Sequence, residues 1–273
     1  MAKRNRTITA GKNSKFITEG RGDGSGASYK PWLTIQDVPS IGLVHRIRGY
    51  KHGRIHHLMS NLERDYFYLL DWSSTVTDIR EQYPLLPQEE TLKIAEQCNI
   101  KHPRDPKTNH PIVMTTDFVV DVCKGGITQK IARTLKYSNQ LESKRVLEKF
   151  EIERRYWISH NVDWKIITES NLPFVFIRNI DLLRSYRNIN DRGIENHHIN
   201  RIKNELKILI HQDESLSEIC TECDETLGLP FGSSLCVAYH LIATQAWNVN
   251  LQQPFDSCKP IEFIDMEYYY ESL

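Results

Sequence analysis

The sequence predicts an α/β (α+β) architecture, a mixed sheet with helices packed on it, followed by a mostly helical second part. Three observations predict it. Residues 114–136 hold two β-rich runs around Gly125-Gly126, a dipeptide that supplies the positive φ values of a tight two-residue turn. Helical periodicity brackets this hairpin, over 60–72 before it and 141–160 after it. Beyond Asn171-Leu-Pro173 apolar residues recur mainly at helical spacing. That tripeptide divides the chain into 1–170 and 171–273.

At 273 residues the chain suits one large domain or two ordinary ones. Its formal charge of zero hides an asymmetry. Eleven basic residues stand in 1–60 against only Glu19, Asp23 and Asp37, whereas 212–258 holds no Lys or Arg and seven acids. The first stretch suits a polyanion and the last repels one. No apolar run approaches the roughly 18 residues of a membrane span, and the basic N-terminus lacks the apolar core of a signal peptide. Six cysteines without a secretory signal read as reduced thiols. The expectation is a soluble, cytoplasmic protein with no membrane partner.

Residues 1–32 are polar, basic and glycine-rich, and 20–32 cannot form a long regular element. Composition leaves two readings open: a solvated tail, or an arm that orders on phosphate. No strand precedes the glycines and no helix follows them as a nucleotide-binding loop requires, so that reading is rejected. Residues 44–57 are dense in Arg, Lys and His and suggest a short hairpin turning at Lys51-His52-Gly53. Arg21, Lys30, Arg46, Arg48, Lys51 and Arg54 are the candidate contacts to a nucleic-acid backbone.

Ser60 then opens a helix to about residue 72, with Leu62, Tyr66, Leu69 and Leu70 on its buried side. Ser60 with Glu63 is a capping-box pair, in which Glu63 would bond the Ser60 backbone N–H. A strand over 76–83, a helix over 86–98 and a loop over 99–110 follow. In the hairpin, a turn at Gly125-Gly126 pairs Val120 with Ile131 and Asp117 with Thr134. Lys136 then lies diagonal to Asp117 on one face, about 7–8 Å away. Thr116 is unremarkable. In the helix over 141–160, Val146, Phe150, Glu153 and Trp157 share one face. Glu153 thus sits within an apolar stripe, where a carboxylate is costly unless paired or bound to a cation. A strand over 163–168 completes the layer.

In the second part, helices over 195–210, 216–227 and 233–247 precede a β-wing over 254–264, a winged-helix pattern. The helix that would read DNA has no basic residue and the one before it is acidic, so this is read as a protein-interaction module. Cys220, Cys223, Cys236 and His240 mimic zinc spacing, but Cys220 and Cys223 fit the apolar stripe of their helix.

Two acids and a lysine on adjacent elements suit phosphodiester hydrolysis. Glu63 and Asp117 would share Mg²⁺, for which Mn²⁺ substitutes, and Lys136 would position a water or neutralise the phosphate. The plain alternative is a cross-strand ion pair between Asp117 and Lys136 on a solvated face.

At this point the residues carry a resemblance. The motifs are Gly20-Arg-Gly-x-Gly-x-Gly with Tyr29-x-Pro31-Trp32-Leu-Thr, His45-Arg-Ile, Gly53-Arg-x-His56-His57-Leu and Leu62-Glu63. They continue through Asp78-Ile-Arg-Glu-Gln-Tyr-Pro-Leu-Leu-Pro87, Met114-x-Thr-Asp117-Phe and Leu147-Glu-Lys-x-Glu-x-Glu153-Arg-Arg-Tyr-Trp157. Over nearly its whole length the chain resembles the TnsA family, the endonuclease subunits of heteromeric cut-and-paste transposons. The resemblance implies a restriction-endonuclease-like catalytic domain followed by a winged-helix-like one. It implies Mg²⁺-dependent cleavage of the 5′, non-transferred strands at transposon ends in double-stranded DNA. A separate transposase would cut and join the 3′ ends, and an AAA+ ATPase regulator would dock on the C-terminal domain. It places the catalytic acids on Glu63 and Asp117, the lysine on Lys136 and a further metal-proximal acid on Glu153. Where the family has Glu or Gln, this chain has Thr134, a shorter neutral ligand; the Leu135 carbonyl would still contribute. A stand-alone restriction or repair nuclease and a catalytically inactive architectural subunit are the competing expectations.

Overall fold

The structure, a computed structural model, describes residues 7–38, 42–210 and 213–264. The chain divides into two compact units, Met1–Leu172 and Pro173–Leu273. Among the described residues no helix is long and apolar enough to cross a membrane.

The first unit is built on one mixed sheet. Strands β3 (Val76–Pro84), β4 (Thr115–Lys124), β5 (Ile127–Leu135) and β6 (Asp163–Ile167) lie in the order β3-β4-β5-β6. The first three are antiparallel and β6 runs parallel to β5. Gly125 (φ 56°) and Gly126 (φ 79°) make the turn between β4 and β5, so Val120 faces Ile131 as the sequence requires. The ladder stops one pair short of the expected Asp117–Thr134 partnership, ending at Phe118 and Arg133. There Asp117 turns its carboxylate onto the Leu135 N–H, at 2.7 Å.

Helices cover both faces. Helix α2 (Asn61–Trp72) packs Tyr66 edge-on against Phe118, with ring centres 5.7 Å apart. Helix α4 (Lys144–Ser159) carries Ile152, Tyr156 and Trp157 onto Val119 and Ala132. It is closed by Asn161, whose left-handed φ of 56° suits the position after a helix. Helix α3 (Gln88–Gln97) adds Ala95 to the same core. The charged hairpin forms as expected, with β1 (His45–Arg48) pairing antiparallel to β2 (Ile55–Leu58).

The described part of the glycine-rich arm is not a solvated tail; Lys3, Arg4 and Arg6 lie outside the described residues. Residues 10–18 form a helix, α1 (Ala10–Thr18), which buries Phe16 against Trp32 and Val113. The glycine loop then runs along β3, the edge of the sheet. The Gly26 N–H reaches Asp78, the Tyr29 hydroxyl donates to the Glu81 carbonyl, and the Trp32 N–H donates to the Gln82 carbonyl. Gly22 is required there: a Cβ would stand 2.4 Å from Pro84 Cγ. Aromatic burial at Phe16, Tyr29 and Trp32 outweighs the polar composition, and the loop covers an edge that would otherwise be open to pairing.

The second unit holds α5 (Phe174–Arg184), α6 (Asn196–Leu209), α7 (Leu216–Leu227) and α8 (Ser233–Ala243). Ile202, Leu206, Ile219, Cys223, Val237 and Leu241 fill its core. Ser215 and Glu218 form a full capping box at the start of α7. Asp224, 1% exposed, accepts the Gly232 and Ser234 N–H groups and so caps α8. The expected wing over 254–264 is corrected. No strand forms within it; Phe263 instead bridges Val249, with Asn250 N–H donating to Glu262 O and Ile264 N–H to Asn248 O. Pro254 and Pro260 remove ladder donors, which moves the pairing upstream. Cys220 and Cys223 are buried free thiols of the helical core.

Candidate active site

Glu63 lies in the first turn of α2, capped by Ser60. The capping is real but differs from the expected pattern. Glu63 accepts the Met59 N–H at 2.8 Å and the Ser60 hydroxyl at 3.0 Å, rather than the Ser60 N–H. A helix N-terminus and a catalytic acid are therefore compatible roles here, since the helix start orients the carboxylate. Asp117 sits on β4 where the ladder breaks. Between the two stands Gln82 of β3, whose side-chain nitrogen is 3.4 Å from Glu63 Oε2 and 3.4 Å from Asp117 Oδ1.

Burial pushes the Glu63 carboxyl above its ordinary range, and the nearby Asp117 pushes it further. Burial raises Asp117 as well, against the pull of the Leu135 N–H and the Lys136 charge. The Lys136 backbone N–H donates to Ile167 O at 3.0 Å. Lys149 of α4 adds charge nearby: burial, then Lys136 and Arg145, hold its ammonium below the usual lysine range.

Glu153 belongs to a network of its own. Its Oε1 accepts the Thr116 hydroxyl at 2.6 Å, the Thr134 hydroxyl, and the Trp164 indole N–H at 3.1 Å. Trp157 in turn donates to Thr116 Oγ1 at 2.7 Å. Burial raises the Glu153 carboxyl to about 7 despite the Thr116 and Thr134 bonds. Thr134 therefore spends its hydroxyl on Glu153. Among the described residues no three His, Cys, Asp or Glu side chains gather tightly enough to hold a metal ion by themselves. What remains suits a cation with water or substrate completing its shell: two hard carboxylates raised by burial, Glu63 further by Asp117, which a divalent ion would relieve.

The basic candidates separate into two groups. Arg46, Arg48 and Lys30 are exposed. Lys51 is partly buried and its ammonium donates to Ser73 O at 2.6 Å. Arg54 is a correction. Its side chain is 8% exposed, paired with Glu81 and bonded to Ile79 O, so it serves the interior rather than a phosphate. Arg21 is likewise engaged by Asp37 at 2.7 Å, by Glu19 and by the Phe16 ring. An arginine cluster and a buried arginine anchor look alike in composition; only the glutamate partner on a distant strand separates them.

Sequence reasoning missed Gln82, Thr116 and Lys149. Thr116 is fully buried and joins Trp157 to Glu153. A small hydroxyl beside an acid in an otherwise apolar strand was the available signal. Gln82 lay in plain view within the ten-residue run from Asp78, but its left-handed backbone is not readable from residue type.

Two family models match the chain, the TnsA-like endonuclease N terminal over residues 73–169 and the TnsA endonuclease C terminal over 172–251. The first begins after Glu63, so that acid rests on the longer comparison and on geometry. A transposition protein of the Escherichia coli transposon Tn7, TnsA, is 38% identical over 260 residues, covering 95% of this chain and 93% of that one. With its mixed sheet, its helices on both faces and these matches over both units, the chain belongs to the TnsA endonuclease family.

Proposed function

We propose that the chain is the Mg²⁺-dependent endonuclease subunit of a transposition machinery, cutting the 5′, non-transferred strands at transposon ends. One observation carries the reading: Glu63 and Asp117 arrive from different elements, are buried, and meet across a neutral amide, with the charge of Lys136 acting on Asp117. Glu63, Asp117 and the Leu135 carbonyl would hold Mg²⁺ or Mn²⁺. Such an ion would supply Lewis acidity toward the scissile phosphate. Lys136 neutralises the charge that builds on the phosphate and orients the attacking water. Glu153 acts from behind the site, steadying the β4 and β5 strands through Thr116 and Thr134. Arg46, Arg48 and Lys30 contact the DNA backbone.

In this reading a separate transposase subunit cuts and joins the 3′ ends. The second unit, acidic over 212–258, docks an AAA+ ATPase regulator, and the complex works in the cytoplasm. Reconstitution with the neighbouring transposase on end-containing DNA in Mg²⁺, with nicks mapped on both strands, tests it. Asp117→Ala is expected to abolish the 5′-side nick alone. Loss of both nicks, or of neither, overturns the assignment, and efficient cutting by the isolated chain would favour a stand-alone nuclease.

A further inference from the structure

Gln82 is the one residue of β3 with a positive φ. Its φ is +49°, although it is neither glycine nor asparagine and is 4% exposed. A non-glycine residue in the left-handed region costs on the order of 1–3 kcal/mol and persists only where its surroundings fix it. Its neighbours Glu81 and Tyr83 keep register with Phe118 and Thr116, which leaves Gln82 opposite Asp117 without a ladder pair. Its carbonyl turns outward to accept the Trp32 N–H at 3.1 Å. That anchor comes from the glycine-rich loop, locked in place by Trp32, 2% exposed. The distortion directs the side chain into the site. There the amide nitrogen contacts Glu63 and Asp117 at 3.4 Å each, and the amide oxygen accepts the Thr115 hydroxyl at 3.4 Å. These are long contacts that hold without binding tightly.

We propose that Gln82 is a positioning residue of the cation site. Its amide spaces the Glu63 and Asp117 carboxylates so that both can serve a divalent ion. Two buried carboxylates repel, and without a neutral donor between them they would splay apart. An amide suits this task better than a lysine or arginine, whose charge would compete with the ion for both acids. The loop-to-strand bond from Trp32 makes the arrangement stiff, so the backbone strain at Gln82 is spent on site geometry. The inference rests on the metal-dependent reading above.

Mn²⁺ binding to the full chain, measured by titration calorimetry alongside thermal unfolding, tests it. Gln82→Met keeps the volume and removes the amide. Gln82→Gly removes the amide and relieves the left-handed strain, so its unfolding temperature should hold or rise. Both are expected to weaken Mn²⁺ binding at least tenfold relative to wild type, with Asp117→Asn as the reference for a lost site. Affinities within twofold of wild type in both variants overturn the role of Gln82 alone. Failure of the wild type itself to bind Mn²⁺ at these carboxylates overturns both this role and the reading it rests on.

Discussion

Glu81 and Gln82 are adjacent in β3, yet they serve two opposite electrostatic regions. Glu81 is fully buried among donors: Arg54 grips it with two nitrogens, the His56 ring lies at 2.9 Å, and the His57 backbone N–H donates at 3.1 Å. Burial alone would raise its pKa, but the Arg54 and His56 bonds outweigh burial and hold the carboxyl down at about 2. One residue on, Gln82 faces Glu63 and Asp117, whose carboxyls burial raises instead. The difference lies in the partner. A buried carboxylate matched by fixed cations is part of the framework, and one matched only by a neutral amide is suited to a cation that comes and goes.

The comparison breaks most visibly at Asp117. Asp117→Asn keeps the acceptor for the Leu135 N–H but removes a charge from the site. Nicking in the reconstituted assembly should fall by about four orders of magnitude, roughly 5.5 kcal/mol at the transition state. The unfolding temperature should hold or rise, because a repulsive charge is gone. Glu81→Gln should do the reverse. It strands Arg54 beside a neutral amide in the interior, and denaturant unfolding should show a loss of about 3–5 kcal/mol.

The pH dependence sharpens the same contrast. Glu63, Asp117 and Glu153 hold their protons more tightly folded than unfolded. Their contribution to stability is full below the ordinary carboxylate range and is lost as pH rises, through about 7 for Glu153. Glu81 contributes fully above about 4.5 and loses its share as pH falls toward 2. In EDTA the unfolding temperature should therefore decline from pH 5 to 8, and Mn²⁺ should flatten that decline. A flat profile in EDTA would show that the three acids are not desolvated as described. The smallest effect is expected at Thr116→Val, which leaves the Trp157 N–H without its acceptor and removes one bond to Glu153. A loss of about 1–3 kcal/mol is expected, with a shift in tryptophan emission reporting the changed environment of Trp157 and Trp164.

Much of this was legible because it depends on period and turn chemistry. Gly125-Gly126 fixed the β4–β5 register through Phe118 and Arg133, and the intrusion of Glu153 into the Val146–Trp157 stripe marked it as more than a surface acid. What escaped depends on contacts between segments remote in sequence. The bond from Trp32 to Gln82 spans fifty positions and sets a backbone angle that no local pattern encodes. Arg54 reads from sequence as a contact to a nucleic-acid backbone because Glu81, which neutralises it, comes 27 residues later. Composition left the fold of the arm open because its charges outnumber the three aromatic anchors that dock it. The expected strand over 254–264 contains two prolines, which cannot donate to a ladder, and among the described residues only the Val249–Phe263 bridge forms there.

Anomalous diffraction from crystals soaked in manganese is the most direct measurement. The account predicts a peak bridging Glu63 and Asp117 at direct-coordination distance, with the Gln82 amide against both carboxylates and Arg54 still closed on Glu81. Manganese absent from those two oxygens while the acids keep their present orientation would contradict it.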